Sequence, residues 1–434
     1  MRPRIVVVWG LVLVLVLVAC TDQAKDTTTT SIAAPVTTTA TTQPPVRTGV
    51  GVGDGVITLA ALLPLSGTLE TFGRSVLEGH EVYWEYVNAA LGGVGGQYLV
   101  APTPLDTAYD EDTARSLWVA NQDGMLAISS VLGSPITAAL VSEIGSQQIL
   151  VAAGSQASSW STSPNVVLDL ALPTYRDQIA GAITAGGTEQ PVVAATLPLG
   201  LLYQEGVYGE DCLAGFEEAT RRMPPDDALS VAHPGSATEF ADDVGAMQQA
   251  GVLTLFVCSS NQAFLRIVAT LDLLDYSPIV VASSQSYDAS IPGALGDQGG
   301  ESSGLELLSN VYFVGSWPAF EGDMPGMKLL RDKYVRYDSR LPEEVIDPWF
   351  FVGYTQAATF HLILEEALAG GDLTRAGVWA ARDRIGDLDF GFGAGPARFD
   401  QDRVPIVADV FSVPVSASEA LFGMTPIGTY YSTR

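Results

Sequence analysis

The strongest constraint on this chain is an alternation that runs for most of its length: a short apolar run, a glycine- or serine-rich loop, an amphipathic segment, and the same again. Val56 to Leu63 is strand-like and stops at Pro64, and Leu65-Ser66-Gly67 reads as a loop. From Arg74 to Leu91, the residues Leu77, His80, Trp84, Val87 and Leu91 recur at steps of three and four, one face of a helix that Gly92-Gly93 breaks. Tyr98 to Pro102 predicts the next strand, Thr113 to Gln122 the next helix and Met125 to Leu132 another strand. Ser134 suits an N-cap and Pro135 the first helical turn ahead of Ile136 to Ile144. Ile149 to Ala153 closes this series before Gly154-Ser155-Gln156. A second series starts near Tyr175, with strands over Val192 to Leu197, Leu229 to Ala232, Leu253 to Cys258 and Ile279 to Ala282. Helices over Cys212 to Arg222, Phe240 to Ala250 and Ala263 to Leu274 separate them. The tail from Trp317 predicts two helices, the second over Phe350 to Ala369, then strand-like pieces near Arg398 to Phe399 and Ile406 to Val413. Such alternation gives parallel sheets covered by helices on both faces, here an α/β chain of two doubly wound lobes.

The N-terminus carries an address. Arg2 and Arg4 precede an apolar run from Ile5 to Ala19, which falls short of the roughly 20 residues a spanning helix needs. It ends in Leu17-Val18-Ala19-Cys20, which resembles the bacterial lipobox. That resemblance implies a signal peptide over residues 1–19 and lipidation of Cys20 on the extracytoplasmic face of the cell membrane. The alternative is an ordinary signal peptide or anchor helix with an incidental cysteine. Residues 20–55, with runs such as Thr27-Thr28-Thr29-Thr30 and Pro44-Pro45, predict a disordered tether. No later apolar run is long and uncharged enough to span a membrane, so the lipid is the expected attachment. The formal charge of −28, from 49 acidic against 21 basic residues, argues against a nucleic-acid partner. With Cys20 assigned to lipid, Cys212 and Cys258 remain. A disulfide between them is favoured over two buried thiols, because both fall near the ends of neighbouring predicted strands in an oxidising compartment.

Ligands of open α/β sheets bind outside the carboxyl ends of the strands. That rule selects the loops Leu65 to Thr68, Gly133 to Pro135 and Ser155 to Ala157 on the first lobe. On the second it selects Leu199 to Tyr208, Ser259 to Asn261 and Ser283 to Ser286. These loops are rich in serine and glycine, as helix caps in any such fold also are. Trp160, Tyr203, Tyr287 and Trp317 are candidates for apolar walls. An enzymatic reading finds little to build on. Gly300-Glu301-Ser302-Ser303-Gly304 has a nucleophile-elbow pattern, but loop-like Asp297-Gln298-Gly299 precedes it where a strand is required. His80, His233 and His361 lie in separate elements without metal-ligand spacing, and no phosphate-loop sequence occurs. No catalytic set, metal site or cofactor is expected.

Several stretches in order resemble the type I periplasmic-binding-protein family, specifically its leucine/isoleucine/valine-binding branch of ABC-transporter receptors. They are Leu63-Pro64-Leu65-Ser66-Gly67, Phe72-Gly73, Glu78-Gly79, Asn88-Ala89-Ala90 and Asp106-Thr107-Ala108-Tyr109-Asp110, followed by Gly133-Ser134-Pro135, Ala153-Gly154-Ser155, Tyr208-Gly209, Gly215-Phe216 and Gly353-Tyr354. The resemblance implies lobes of 56–172 with 318–370 and of 173–317 with 371–434, joined by three crossovers and closing on a solute. It implies a monomeric, non-enzymatic lipoprotein that passes the solute to an ABC-transporter permease; a lipid-anchored sensor or cell-wall-associated binding protein is the alternative use of the fold. It places ligand contacts at Ser66, Ser134, Ser155, Gln156, Ala157, Tyr208, Ser260, Asn261, Ser284 and Gln285. In relatives an acid after the fourth strand of the second lobe meets the ligand's ammonium. Here that loop is Ala282-Ser283-Ser284-Gln285, and the nearest acid is Asp288. A branched-chain amino acid is therefore the family default, with amides, urea-like solutes and small aromatic acids as alternatives.

Overall fold

The computed structural model describes residues 45–67, 69–167, 173–185, 196–287, 291–296, 301–315, 348–388, 397–398, 407–412 and 425–431. Cys20, Thr68, Asp288 and Trp317 lie outside them, as does the first of the two helices expected after Trp317.

The first lobe is built on β3 (Val56–Leu63), an unbroken apolar run buried on both faces. Its side chains alternate: Ile57, Leu59, Ala61 and Leu63 enter one apolar cluster, whereas Ala60 and Leu62 enter another on the opposite face. Parallel partners β4 (Leu99–Asp106) and β5 (Ile128–Val131) flank it, and β6 (Val151–Ala152) and β7 (Val166–Val167) continue the sheet beyond β5. The helices are α1 (Glu70–Ala90), α2 (Glu111–Asn121) and α3 (Ser134–Ile144), with α10 (Pro348–Ala369) returning from late in the sequence. α1 and α10 cross at backbone contact. A Cβ on Gly79 would stand 1.9 Å from the Phe350 carbonyl oxygen, and one on Gly353 would stand 1.8 Å from that of Val76. This approach is the physical reason for glycine in Glu78-Gly79 and Gly353-Tyr354.

The second lobe carries a seven-stranded sheet. Its parallel part contains β8 (Leu199–Gln204), β9 (Ala228–His233), β10 (Thr254–Cys258), β11 (Ile279–Ser283) and β12 (Val311–Gly315). Antiparallel β16 (Val407–Ser412) and β17 (Thr425–Tyr431) extend it past β12. The helices are α4 (Tyr175–Ala185), α5 (Val207–Thr220), α6 (Ala241–Gln249), α7 (Asn261–Leu273), α8 (Ile291–Leu295) and α9 (Glu301–Leu307). β10 repeats the alternation of β3, with Leu255 and Val257 on one face and Phe256 and Cys258 on the other. Cys258, at the end of β10, is disulfide-bonded to Cys212 of α5. Among the described elements the chain changes lobe three times: between β7 and α4, between β12 and α10, and before β16.

Three expectations change. Residues 45–55, expected in the tether, join the first lobe: β2 (Val52–Gly53) forms a hairpin with β3 through Asp54-Gly55, and Val52 is buried. β1 (Arg47–Thr48) pairs with β13 (Asp372–Leu373). Residues 372–384, expected in the second lobe, also belong to the first. There α11 (Arg375–Ala381) places Val378 and Ala381 in the apolar cluster of α10, and Arg375 donates to the Met125 carbonyl. The remaining short pair, β14 (Asp387–Leu388) with β15 (Ala397–Arg398), is antiparallel. Finally, the segment expected as a loop from Leu199 is β8 for six residues. Pro198 stands just before it, where a missing N–H breaks no ladder, and Leu199 and Leu201 pack with Phe216 and Cys212.

Candidate functional site

At the carboxyl ends of both parallel sheets the lobes leave a cleft, half open to solvent. The first lobe contributes Leu69, Phe72, Tyr109, Leu132, Gly133, Ser134, Pro135, Gly154 and Trp349, and the second contributes Tyr175, Gln204, Tyr208, Ser260, Asn261 and Gln285.

The first-lobe wall is shaped by the turn from β5 into α3. Gly133 is the N-cap of α3 and Ser134 its first residue, so the helix starts one residue earlier than the sequence pattern predicts. Gly133 has φ +105° and a Cβ there would meet the Tyr109 ring at 2.4 Å, so the position requires glycine. The Ser134 hydroxyl donates to Ser155 Oγ at 2.8 Å, and Trp160 Nε1 donates to the same oxygen at 2.9 Å. The Tyr175 phenol from the second lobe joins Ser134 and Ser155, and burial pushes it up to about 12, so it stays a neutral donor. Gln356 of α10 ties this edge together: Ser130 Oγ donates to its Oε1 at 2.6 Å, and its Nε2 donates to the Val131 and Ala153 carbonyls.

In the second-lobe wall, Tyr208 is buried in the first turn of α5, where its hydroxyl meets Ser283 Oγ at 2.5 Å and donates to the Ser259 carbonyl at 3.3 Å. Burial raises its phenol well above the usual tyrosine range. Ser259 also holds His233, whose Nε2 lies 2.7 Å from the Ser259 hydroxyl while Nδ1 meets the Pro234 carbonyl. Ser260 caps α7 by accepting from the Ala263 N–H, and its own N–H donates to Gln204 Oε1 at 3.3 Å. Three helices, α3, α5 and α7, thus begin at or beside the cleft.

Of the expected site residues, Ser134, Tyr208, Ser260, Asn261 and Gln285 line this cleft. Five stand behind or beside it. Ser66 is engaged with the Asp106 carboxylate, which hydrogen bonds from Ser66 and from the Leu65 and Ala108 N–H groups hold below the usual range. Ser155 backs Ser134, and Ala157 packs into the second-lobe core. Gln156 and Ser284 are buried, and the Ser284 backbone N–H donates to Gln178 Oε1. None of Trp160, Tyr203 and Tyr287 forms the apolar walls. Phe72, Tyr109, Tyr175 and Trp349 do, together with Tyr208. Tyr109 lies in the acidic stretch quoted above and Phe72 in Phe72-Gly73, so their local pattern was visible although their role was not. Among the described residues no cluster of three His, Cys, Asp or Glu could hold a metal, and no helix is long and apolar enough to cross a membrane. Ser302 lies in the first turns of α9.

Two α/β lobes joined by three crossovers around a cleft define a hinged, two-lobed binding protein. The sequence matches the periplasmic binding protein family over residues 56–419, and the chain belongs to that family. Among curated proteins no similar sequence is found. Solved structures share the fold. A fatty acid ABC transporter substrate-binding protein from Thermomonospora curvata is 21% identical with a TM-score of 0.76, over 89% of this chain and 95% of that one. A branched chain amino acid ABC transporter protein from Thermus thermophilus with bound valine is 13% identical with a TM-score of 0.71, over 88% and 98%. A solute binding protein of an R. palustris ABC transporter in complex with benzoate is 15% identical with a TM-score of 0.65, over 86% and 96%.

Proposed function

We propose that this chain is an extracytoplasmic solute receptor, lipid-anchored through Cys20 and monomeric, that closes its two lobes on a small solute and delivers it to an ABC-transporter permease. The observation that carries the reading is the cleft itself. Both lobes line it with polar groups at helix starts and with aromatic rings, the arrangement needed for a solute to draw two lobes together by contacting each. Family membership and the transport roles named for the structural neighbours support it. Those neighbours are described with fatty acid, valine and benzoate, all carboxylates.

The binding step is tested by a thermal-shift screen of solutes against the purified protein. A solute at a hundredfold excess over its dissociation constant stabilises by about 2.7 kcal/mol through mass action. No shift across amino acids, amides, organic acids, sugars and nucleosides contradicts the reading. The anchor is tested by Cys20→Ser, which is expected to move the protein from the membrane fraction to the medium or periplasm with solute affinity unchanged.

A further inference from the structure

We infer that the cleft selects a small monocarboxylate with a flat aromatic body, and that it accepts such an acid without an ammonium group. The inference rests on the receptor reading and narrows its substrate class.

Each lobe presents an aromatic pair to the cleft. Phe72 and Trp349 of the first lobe have ring centroids 5.1 Å apart at 46°, and Tyr175 and Tyr208 of the second have centroids 4.7 Å apart at 68°. All four rings line the one cleft, so a flat ring held there can pack against aromatic surface from either lobe. Leu69, Leu132 and Pro135 add apolar surface to the first-lobe side.

Aromatic walls alone would suit a quaternary ammonium equally well. The backbone decides between the two. α3 and α5 begin at the cleft without a side-chain cap on their first-turn N–H groups, and α7 begins there at Ser260 and Asn261. Each start carries about half a positive charge; Glu210 in the first turn of α5 offsets that one, so the starts of α3 and α7 are the two that favour a carboxylate and oppose a cation. The Ser134 hydroxyl stands at the first of these starts. The Tyr175 and Tyr208 phenols, held neutral by burial, bring no opposing negative charge. Among the described lining residues there is no Asp, Glu, Lys or Arg, and the Asp211 carboxylate behind Tyr175 is engaged by the Ser158 and Arg176 N–H groups.

The test is calorimetric titration of the purified protein with four matched probes: 3-phenylpropanoate, 3-phenylpropanamide, phenylalanine and phenyltrimethylammonium. The acid is expected to bind at least about tenfold tighter than the amide and the cation, and no more weakly than phenylalanine. Trp349→Leu is expected to weaken the acid by about tenfold, whereas Trp349→Phe, which keeps a ring, holds affinity within about threefold and controls for loss of fold. Phenylalanine or the cation binding about tenfold tighter than the acid overturns the inference and leaves the receptor reading standing. If none of the four binds but a sugar or nucleoside from the wider screen does, the aromatic-acid class falls alone. If nothing in either set binds, both fall.

Discussion

The Asp211 carboxylate of the second lobe accepts hydrogen bonds from the Ser158 N–H at 2.9 Å and the Ser158 hydroxyl at 2.5 Å, which places a direct polar clasp across the lobes. Ser158 lies between β6 and β7, and its neighbour Trp160 donates to Ser155, which in turn receives the cleft residue Ser134. The same carboxylate accepts from the Arg176 N–H at 3.0 Å. Burial raises its pKa above the usual carboxylate range, against the hydrogen bonds that favour the charge. Asp211→Ala leaves two backbone N–H groups and a hydroxyl without their acceptor, and is expected to destabilise by about 1–3 kcal/mol in urea denaturation. A change below about 0.3 kcal/mol, inside the usual scatter for surface sites, contradicts the clasp.

Gly353→Ala tests the α1–α10 crossing. The new methyl would meet the Val76 carbonyl oxygen at 1.8 Å, and the two helix backbones must separate to admit it. Destabilisation of about 1–3 kcal/mol is expected, read as a shift in the urea midpoint. A neutral effect contradicts the backbone contact.

His80 gives a pH dependence with a definite sign. It is fully buried, with Nε2 accepting from Trp84 Nε1 at 3.2 Å and facing Ser129 Oγ at 3.0 Å, and desolvation lowers its pKa from 6.5 to about 3. The unfolded chain therefore binds a proton that the folded chain refuses. The contribution of His80 to stability is complete above pH 6.5 and is lost as pH falls toward 3, by about 1.4 kcal/mol per pH unit between them. The check is stability against pH for wild type and His80→Gln: the difference between the two curves is expected to change with that slope below pH 6.5, and a flat difference contradicts it.

The Cys212–Cys258 disulfide closes 46 residues of chain within the second lobe. Its removal in Cys212→Ser/Cys258→Ser is expected to cost about 2–4 kcal/mol. Equal stability of the double variant and the oxidised wild type contradicts a structural role.

The alternation of strand and helix was readable because β3 and β10 must be apolar on both faces, and apolar runs of that length between glycine loops have few other uses. The turn Gly133-Ser134-Pro135 was readable because its chemistry is local. Trp349 was not, since it reaches Phe72 through the crossing of α10 on α1, hundreds of residues apart in sequence. The start of the second-lobe sheet was partly misread for a related reason. Leu199 to Gln204 follows Pro198 and reads as a loop, and its pairing with β9 and β10 makes it strand. Residues 372–384 look like a second-lobe tail until β13 pairs with β1. Ser66 carries a cleft-like motif, yet its hydroxyl is engaged with Asp106.

The central claim is that one solute is held from both lobes, and calorimetric titration of 3-phenylpropanoate into wild type, Ser134→Ala and Tyr208→Ala tests it most directly. Ser134 lines the cleft from the first lobe and Tyr208 from the second. Each substitution is predicted to weaken binding by about tenfold or more, roughly 1.4 kcal/mol, with the thermal melt still cooperative. Wild-type affinity retained in both variants would contradict the account.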